Sequence, residues 1–274
     1  MRNAPMKAED FVIVGRPRLA AITEHPRVGL RDYEPRLRAM QSTIQMIQQA
    51  FLGTRERAVV VLEGWDTAGK GGIVRRLGWA MDPRSFRVYS ISAPSPQEKG
   101  RHYLQRFWEK LPGSGQIVVF DRSWYGRVLV ERVEALTSKP DWERGYEEIN
   151  QFEQMMVADG VRLAKCFLHI TSAEQVRRFR DRVNNPLKRW KLSYEDFRNR
   201  SRWPDYEVAI EDMIERTSTK DAPWHLVPAN DKPYGRLAVF TILIHRLGSG
   251  LSLEPRPLDH KVAKLARRLF DSSD

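Results

Sequence analysis

The sequence predicts an α/β protein with a doubly wound, mostly parallel sheet. Two observations support this prediction: short continuous apolar runs recur along the chain, and segments with helical periodicity lie between them. Continuous apolar runs are typical of strands that are buried on both faces, as in parallel sheets. Strands that alternate with helices are typical of parallel sheets whose crossovers are helical. We therefore expect a five-stranded sheet with helices on both faces.

The elements follow from these patterns in chain order. Residues 1–31 contain three prolines and are expected to form an irregular N-terminal segment, and residues 32–274 a single domain. Asp32–Leu52 has apolar residues at steps of three and four and is predicted to be a helix. The predicted strands are Ala58–Leu62, Phe86–Ile91, Ile117–Phe120, Cys166–Ile170 and His225–Val227. The other predicted helices are Gly72–Met81, Gln97–Leu111, Trp142–Ala158, Ser172–Val183, Trp203–Arg216, Tyr234–Leu247 and His260–Phe270.

Composition limits the class of protein. The 274 residues include 46 Lys or Arg and 35 Asp or Glu, a net charge of +11. No apolar run approaches the roughly 18–20 residues that span a bilayer, and the N-terminus lacks the apolar stretch of a secretory signal. The single cysteine, Cys166, cannot form an internal disulfide, and no Cys/His spacing suits zinc. We expect a cytoplasmic protein, not a membrane protein, with anionic partners such as nucleotides, phosphate polymers or nucleic acid.

The positive charge is concentrated in one segment. Residues 177–202 contain ten basic and three acidic residues. A solvated helix face is the ordinary interpretation of such a run. Here, however, apolar residues such as Phe179 and Trp190 are interleaved with the charges. The segment therefore has an apolar side that can pack while its basic side faces a ligand.

The first predicted strand leads directly into a glycine-rich loop. Gly64, Gly69 and Lys70 have the G-x4-G-K spacing of a phosphate-binding P-loop, and a predicted helix follows. In such loops the glycines let backbone N–H groups surround an anion, the helix N-terminus adds its dipole, and the lysine supplies a full charge. A phosphate site at residues 64–72 is therefore expected.

The loop departs from the usual nucleotide-binding pattern at two positions. Gly71 stands where a Ser or Thr normally ligates Mg²⁺, and Asp66 lies inside the loop, where a bare carboxylate would repel phosphate. A divalent cation between Asp66 and the phosphates would convert that repulsion into attraction. A helix cap is the alternative role for Asp66. We expect Mg²⁺, with Mn²⁺ as a substitute.

A second acidic residue follows a later strand. Ile117–Phe120 ends in Asp121 and Arg122. Ligands of doubly wound sheets gather at the carboxyl ends of the strands, so Asp121 is expected to reach the same metal as Asp66. Arg122 is a candidate clamp for a transferring phosphoryl group, and a surface ion pair is its alternative role.

Together these motifs resemble the polyphosphate kinase 2 family. The family's Walker A variant G-x-D-x-x-G-K-G matches residues 64–71, and its Walker B stretch is similar to Val119–Tyr125. Its basic lid is similar to Arg178–Ser193. Further matches, within roughly residues 32–247, are Trp203–Tyr206, Ala222–Trp224 and Asn230–Lys232. The resemblance implies a P-loop kinase-like fold and Mg²⁺-dependent phosphoryl transfer between inorganic polyphosphate and a nucleoside mono- or diphosphate.

The resemblance also assigns roles. It implies that Asp66 and Asp121 bind the metal and form a catalytic set with Lys70 and Arg122. It places a lid at about residues 177–202 and implies a homodimer or homotetramer. Arg75 and Arg76, on the helix after the loop, are expected to line the same polyanion groove. The full set of expected phosphate- or polyphosphate-binding residues is Gly64, Gly69, Gly71, Arg75, Arg76, Arg178, Arg182, Lys188 and Lys191.

Two alternative functions stay open at this point. One is an ATP-dependent nucleotide or small-metabolite kinase of the same fold, which Gly71 and the charge of the lid disfavour. The other is a non-catalytic polyanion- or nucleic-acid-binding protein, which leaves the loop and both aspartates unexplained; no specific nucleic-acid partner is expected.

The acceptor is also open. Glu63–Trp65 is similar to the AMP-phosphorylating branch, whose members usually carry two fused copies, whereas this chain has one. Core packing is the favoured role for each single aromatic residue that could stack a base, namely Trp65, Trp108, Trp124, Tyr125, Trp190 and Trp203.

Overall fold

The computed structural model describes residues 6–254 and 257–271. Its centre is a five-stranded sheet in the order β2–β3–β1–β4–β5, and every neighbouring pair of these strands is parallel. The strands are β1 Arg57–Gly64, β2 Phe86–Ser90, β3 Ile117–Asp121, β4 Val161–His169 and β5 Trp224–Pro228. The predicted α/β class and the five strands are confirmed.

The helices connect these strands and cover them. The longer helices are α1 Leu30–Phe51, α2 Lys70–Ala80, α6 Lys139–Ala158, α7 Ser172–Asn184, α8 Tyr194–Ser201, α9 Trp203–Thr217, α10 Lys232–Gly248 and α11 His260–Asp271. Three single-turn helices are α3 Pro96–Lys99, α4 Gln105–Trp108 and α5 Val130–Val133. Short 3₁₀ turns lie at Ala8–Phe11, Leu19–Ala21, Trp124–Arg127 and Pro186–Lys191.

Two groups of helices enclose the sheet. Helices α1, α2 and α10 contact one another, and so do α5, α6 and α9; α10 and α6 each pack on β4. The middle of β1, from Ala58 to Leu62, is fully buried, which requires cover on both faces. This layering leaves the carboxyl ends of the strands open for a site. None of the described helices combines the length and the apolar character needed to cross a bilayer.

Two predicted elements differ from the structure. The helix predicted over Gln97–Leu111 is wrong: α3 ends before Gly100, and α4 begins at Gln105. Glycine costs a helix roughly 1 kcal/mol relative to alanine, and the chain turns there. Strand β4 begins at Val161, before the predicted start at Cys166. The prediction began too late because the charged residues Arg162 and Lys165 interrupt the apolar pattern. Lys165 is nevertheless completely buried.

The N-terminal segment packs against the edge of the sheet beside β5. Ala8, Phe11 and Leu19 are buried in the common core, and Val12 forms an antiparallel bridge with His225 of β5. The segment therefore covers an edge that would otherwise expose unpaired backbone groups. Residues 1–5 of this predicted segment lie outside the described residues.

Candidate active site

The loop between β1 and α2 has the backbone geometry of a phosphate cradle. Gly64 has a φ of +144°, and a Cβ there would lie 2.5 Å from the carbonyl oxygen of Leu168 on β4. Gly69 precedes the first residue of α2 with a φ of +119°. Both positions therefore require glycine. The N-terminus of α2 points into the loop and can attract an anion.

Lys70 lies at the centre of the site. Its side chain is buried, and its Nζ donates to the carbonyl oxygens of Gly64 at 2.6 Å and of Trp65 at 3.3 Å. Burial and the nearby Arg122 lower the pKa of Lys70, while three carboxylates (Asp121, Asp66 and Glu63) partly oppose the change. The lysine is thus held within reach of the loop and of the acidic residues.

Asp66 is held from two sides. Its Oδ1 accepts from the guanidinium of Arg122 at 2.8 Å, and its Oδ2 accepts from Nδ2 of Asn199 at 3.0 Å. Burial alone would raise the pKa of Asp66, but the Arg122 and Lys70 cations and the Asn199 hydrogen bond more than offset it, so the pKa is lowered. Asp66 is therefore a carboxylate at neutral pH.

Asp121 and Arg122 stand at the end of β3, beside β1. Asp121 is in register with Leu62 of β1, and the backbone N–H of Arg122 donates to the carbonyl of Leu62 at 3.1 Å. Arg122 has a φ of +64°, a left-handed conformation that is uncommon for a residue with a side chain. Its side chain is 55% exposed, which leaves it available to a ligand.

These residues can hold a hard cation. Asp66 supplies carboxylate oxygens, and the carboxylate of Asp121 has neither hydrogen-bond nor ion-pair partner in the described part of the chain. No cluster of three or more His, Cys, Asp or Glu residues suited to a metal occurs among the described residues. Mg²⁺ is commonly bound by one or two carboxylates together with substrate phosphates and water, so this donor set fits it.

A cavity of about 130 Å³ opens beside the loop. Its wall contains the buried Glu63, which accepts from Ser123 Oγ at 2.8 Å, and Trp65, whose ring stacks on Trp203 at 3.6 Å between centroids. Its other apolar lining residues are Leu129, Val130, Phe167 and Ile210. Of the six candidate aromatic residues, Trp65 and Trp203 line this cavity, Trp124 and Tyr125 lie in the core, and Trp108 and Trp190 are exposed.

The end of the basic segment contacts the phosphate loop directly. Besides the bond from Asn199 to Asp66, Tyr206 donates to the Oδ1 of Asn199 at 3.2 Å, and Trp203 stacks on Trp65. Sequence reasoning missed Asn199. It noted Tyr206 only as part of a motif, and Trp203 as part of that motif and as one of the six candidate aromatic residues. The available signal was position, since Asn199 lies near the end of the basic run and Trp203 and Tyr206 directly follow it. Nothing local in the sequence, however, indicates the partner Asp66.

Arg178 occupies a different position from the one expected for a phosphate-binding residue. It is buried, and its guanidinium donates to Glu174, to the loop carbonyls of Thr67 and Ala68, and to the carbonyls of Ala229 and Asn230. These acceptors occupy all five N–H donors of the arginine. In this structure Arg178 supports the back of the phosphate loop and has no donor left for a phosphate.

Four of the expected cations lie close together. Partial desolvation and then the neighbouring Arg75, Arg182 and Lys188 lower the pKa of Lys191. Arg75, Lys188 and Lys191 are exposed, and within the described residues none of the three has an ion-pair partner. Arg182 donates to the carbonyl of Lys191 at 2.9 Å. Arg182 also lies 4.0 Å from the carboxylate of Asp196, so the uncompensated charge belongs to Arg75, Lys188 and Lys191. Such a concentration of charge is suited to a polyanion.

Lys232 adjoins this cluster, whereas Arg76 is directed away from it. The pKa of Lys232, at the start of α10, is lowered to about 8 by burial and by neighbours that include Arg178 and Lys188. Sequence reasoning noted it only as the end of the motif Asn230–Lys232 and gave it no role, although its position after β5, at the carboxyl edge of the sheet, was a usable signal. Arg76, which was expected in the groove, instead donates to Tyr33 on α1 at 2.8 Å and to the carbonyl of Gly72.

Comparisons with known proteins identify the family of this chain. Residues 28–251 match the family model described as polyphosphate kinase 2. The chain is 46% identical over 208 residues to a polyphosphate:AMP phosphotransferase of Pseudomonas syringae, covering 76% of this chain and 42% of the relative. It is 40% identical over 222 residues to ADP-polyphosphate phosphotransferase 2 of Rhizobium meliloti, covering 81% of this chain and 72% of the relative.

A solved structure extends the comparison to the fold. The polyphosphate kinase 2 of Arthrobacter aurescens superimposes with a TM-score of 0.86 at 34% identity, over 95% of this chain and 97% of the other. The chain spans less than half the length of some curated relatives, including the Pseudomonas syringae protein. The match over residues 28–251 and the shared fold show that the chain belongs to the polyphosphate kinase 2 family.

Proposed function

We propose that this protein catalyses Mg²⁺-dependent phosphoryl transfer between inorganic polyphosphate and a nucleoside mono- or diphosphate, with Mn²⁺ as a substitute metal. The observation that carries the proposal is the meeting of two features at one edge of the sheet. A P-loop with two aspartates, Lys70 and Arg122 lies there, and the cluster of unpaired cations adjoins it. The names of the family relatives support the same reaction.

The unpaired cations favour polyphosphate as the donor. A linear polyanion carries charge along its whole length, so it needs cations beyond those that hold one phosphate group. Arg75, Lys188 and Lys191 supply these cations without competing acids in the described residues. Arginine also binds phosphate oxygens with a planar pair of donors, which fixes their orientation.

The chain's own residues position the reacting groups. An oxygen of the acceptor's terminal phosphate attacks the end phosphorus of polyphosphate in line, the bridging P–O bond breaks, and the shortened polyphosphate leaves. Lys70 and the N–H groups of the loop hold the donor, and the exposed guanidinium of Arg122 stabilises charge on the transferred group. Mg²⁺, when held by Asp66 and Asp121, would neutralise charge on the phosphates.

The acceptor site is assigned to the cavity beside the loop. Trp65, Trp203 and the neighbouring apolar side chains offer a surface for a flat base, and Asp66 and Arg122 lie in the same wall. This arrangement suits a nucleotide whose base packs in the cavity and whose phosphate reaches Arg122. The monophosphate AMP and the diphosphates ADP and GDP all remain candidate acceptors, and an assay is needed to rank them.

An ATP-free assay tests the proposal. Polyphosphate and Mg²⁺ are incubated with AMP, ADP or GDP, and the products are followed by chromatography. We expect a nucleotide to gain phosphate with the wild type and at least about a hundredfold less product with Asp121→Asn. Asp205→Asn, at an exposed ion pair outside the site, is the matched control. Consumption of ATP instead of polyphosphate, or polyanion binding without turnover, would overturn the proposal.

Assembly and location stay predictions from the sequence. The expected homodimer or homotetramer is tested by light scattering coupled to size-exclusion chromatography. A monomer at assay concentration would contradict it. The cytoplasmic location is tested by fractionating cells that express the full chain.

A further inference from the structure

A buried polar network lies beneath the segment that follows Arg122. Lys165 on β4 and Glu153 on α6 form an ion pair at 2.6 Å, and their side chains are 0% and 2% exposed. The Lys165 ammonium also donates to the hydroxyl of Tyr125 at 2.9 Å and to the carbonyl of Thr217 at 2.7 Å. Each of its three N–H donors therefore has an acceptor.

Glu153 fixes two residues that follow the proposed active-site arginine. Its Oε1 accepts from the indole N–H of Trp124 at 3.1 Å and from the hydroxyl of Tyr125 at 2.6 Å. The residue between them and Arg122, Ser123, is held by Glu63 at 2.8 Å. Three consecutive side chains after Arg122 are thus each bonded to a buried carboxylate.

This anchoring explains how Arg122 keeps its backbone conformation. A φ of +64° is unfavourable for a residue with a side chain and persists only where the surroundings enforce it. From that conformation the guanidinium reaches Asp66 at 2.8 Å. If Trp124 and Tyr125 were free to shift, Arg122 could relax toward the ordinary region and withdraw its side chain.

Stability alone does not account for the ion pair. Apolar residues of similar volume often stabilise a core as well as a buried ion pair does, because desolvation of the charges cancels much of their attraction. An apolar pair, however, could not hold the indole and the phenol at fixed positions.

We propose that the Glu153–Lys165 pair is a positioning device for Arg122, an inference that rests on the proposed function of that arginine. Neither residue lines the active-site cavity. Both act through Trp124 and Tyr125, which connect the pair to the end of β3.

Two double variants separate positioning from ordinary packing. Glu153→Met with Lys165→Met removes the charges and the carboxylate acceptor that Trp124 and Tyr125 share. Glu153→Gln with Lys165→Met also removes the ion pair but keeps an amide oxygen as acceptor. We expect kcat to fall about tenfold to a hundredfold in the first variant, with both KM values within about twofold of the wild type. The second variant should stay within about threefold of the wild-type kcat.

A cycle with Arg122→Lys tests whether the effect passes through the arginine. In the Arg122→Lys background the Met/Met substitutions should lower kcat by less than about twofold, because the guanidinium that the ion pair positions is already absent. Equal losses in the two double variants would overturn the proposal. So would a Met/Met variant within twofold of the wild type, or an undiminished loss in the Arg122→Lys background.

Hydrogen exchange gives a readout that does not depend on turnover. We expect amides of residues 122–127 to exchange at least about tenfold faster in the Met/Met variant, with those of β1 unchanged; unchanged exchange in both regions would overturn the proposal. If wild-type protein transfers no phosphate, the proposed function fails, and exchange still decides the anchoring. If the Met/Met variant does not fold, Tyr125→Phe is used in its place. We expect Tyr125→Phe to lower kcat severalfold in the wild-type background and to leave kcat unchanged in the Arg122→Lys background.

Discussion

The basic segment uses two pairs of its cations in opposite ways. On α7, Arg177 and Arg178 are both bound to Glu174, and Arg178 also holds carbonyls of the phosphate loop. In the following turn, Lys188 and Lys191 have no acidic partner in the described part of the chain. Net charge therefore does not distinguish a supporting cation from a binding one. The partners of each side chain make that distinction.

Removing a supporting cation should have the largest effect. Arg178→Met leaves Glu174 without its buried partner and several carbonyls without donors. We expect the free energy of unfolding to fall by about 3–5 kcal/mol, as when one partner of a buried pair is removed. Phosphoryl transfer should fall with it, since Thr67 and Ala68 lose their support. Urea denaturation followed by circular dichroism measures the change.

The adjacent arginine provides the control. Arg177 has the same charge and two acidic partners, but its side chain is 57% exposed. Arg177→Met should cost at most about 1 kcal/mol, because exposed ion pairs contribute little. Equal losses of stability in the two variants would show that burial does not separate these arginines.

Removing the proposed binding cations should affect substrate affinity instead of stability. We expect Lys188→Gln with Lys191→Gln to raise the KM for polyphosphate about tenfold to thirtyfold, since each charge contact near the surface contributes roughly 1 kcal/mol. Unfolding should be unchanged, and the KM for the nucleotide should stay within about twofold. Steady-state kinetics at two salt concentrations measure this, and the effect should shrink at the higher salt.

Two lysines on α11 test whether charge alone is responsible. Lys261→Gln with Lys264→Gln removes the same charge from a helix outside the matched family region. That variant should keep its KM for polyphosphate. A comparable rise in both variants would mean that the net charge of the chain, and not the cluster, attracts the polyanion.

The contrast also marks the limit of sequence reasoning. The strands were predictable because continuous apolar runs indicate burial on both faces. The loop was predictable because Gly64, Gly69 and Lys70 lie within seven consecutive residues. The support that Arg178 gives to the phosphate loop was not predictable, because its hydrogen-bond acceptors come from residues 67–68, 174 and 229–230. Their meeting depends on the parallel order of the sheet, which no local spacing encodes.

The same reason explains the residues that were missed. Asn199 follows Asp66 by 133 positions, and only the fold brings them to 3.0 Å. Lys165 interrupts an apolar run, so the sequence pattern began β4 too late. Its partner Glu153 lies on a separate helix. A lysine in a strand can be recognised as part of a buried ion pair only when its partner is known.

A smaller effect is expected from pH, through Lys232. Its pKa is lowered to about 8 by burial and then by neighbouring cations, so it loses its proton as the pH rises through about 8, where an ordinary lysine stays charged. If its charge assists the polyanion, the KM for polyphosphate should rise about fivefold between pH 7 and pH 9. Lys232→Arg keeps the charge and should flatten this rise. The same pH dependence in both proteins would assign the titration to another group.

The smallest effect on the fold is expected from a substitution at Gly71. This position extends the distinction between supporting and binding residues to the glycines of the loop. Gly64 and Gly69 are required by the protein's own geometry, whereas a Cβ at Gly71 meets no atom within 4 Å. Gly71→Ala should therefore leave unfolding unchanged or stabilise the protein by up to about 1 kcal/mol, because alanine favours a helix. A proposed phosphate would share that open space, so the KM for polyphosphate should rise severalfold. Unchanged stability with an unchanged KM would mean that polyphosphate does not approach this turn of α2.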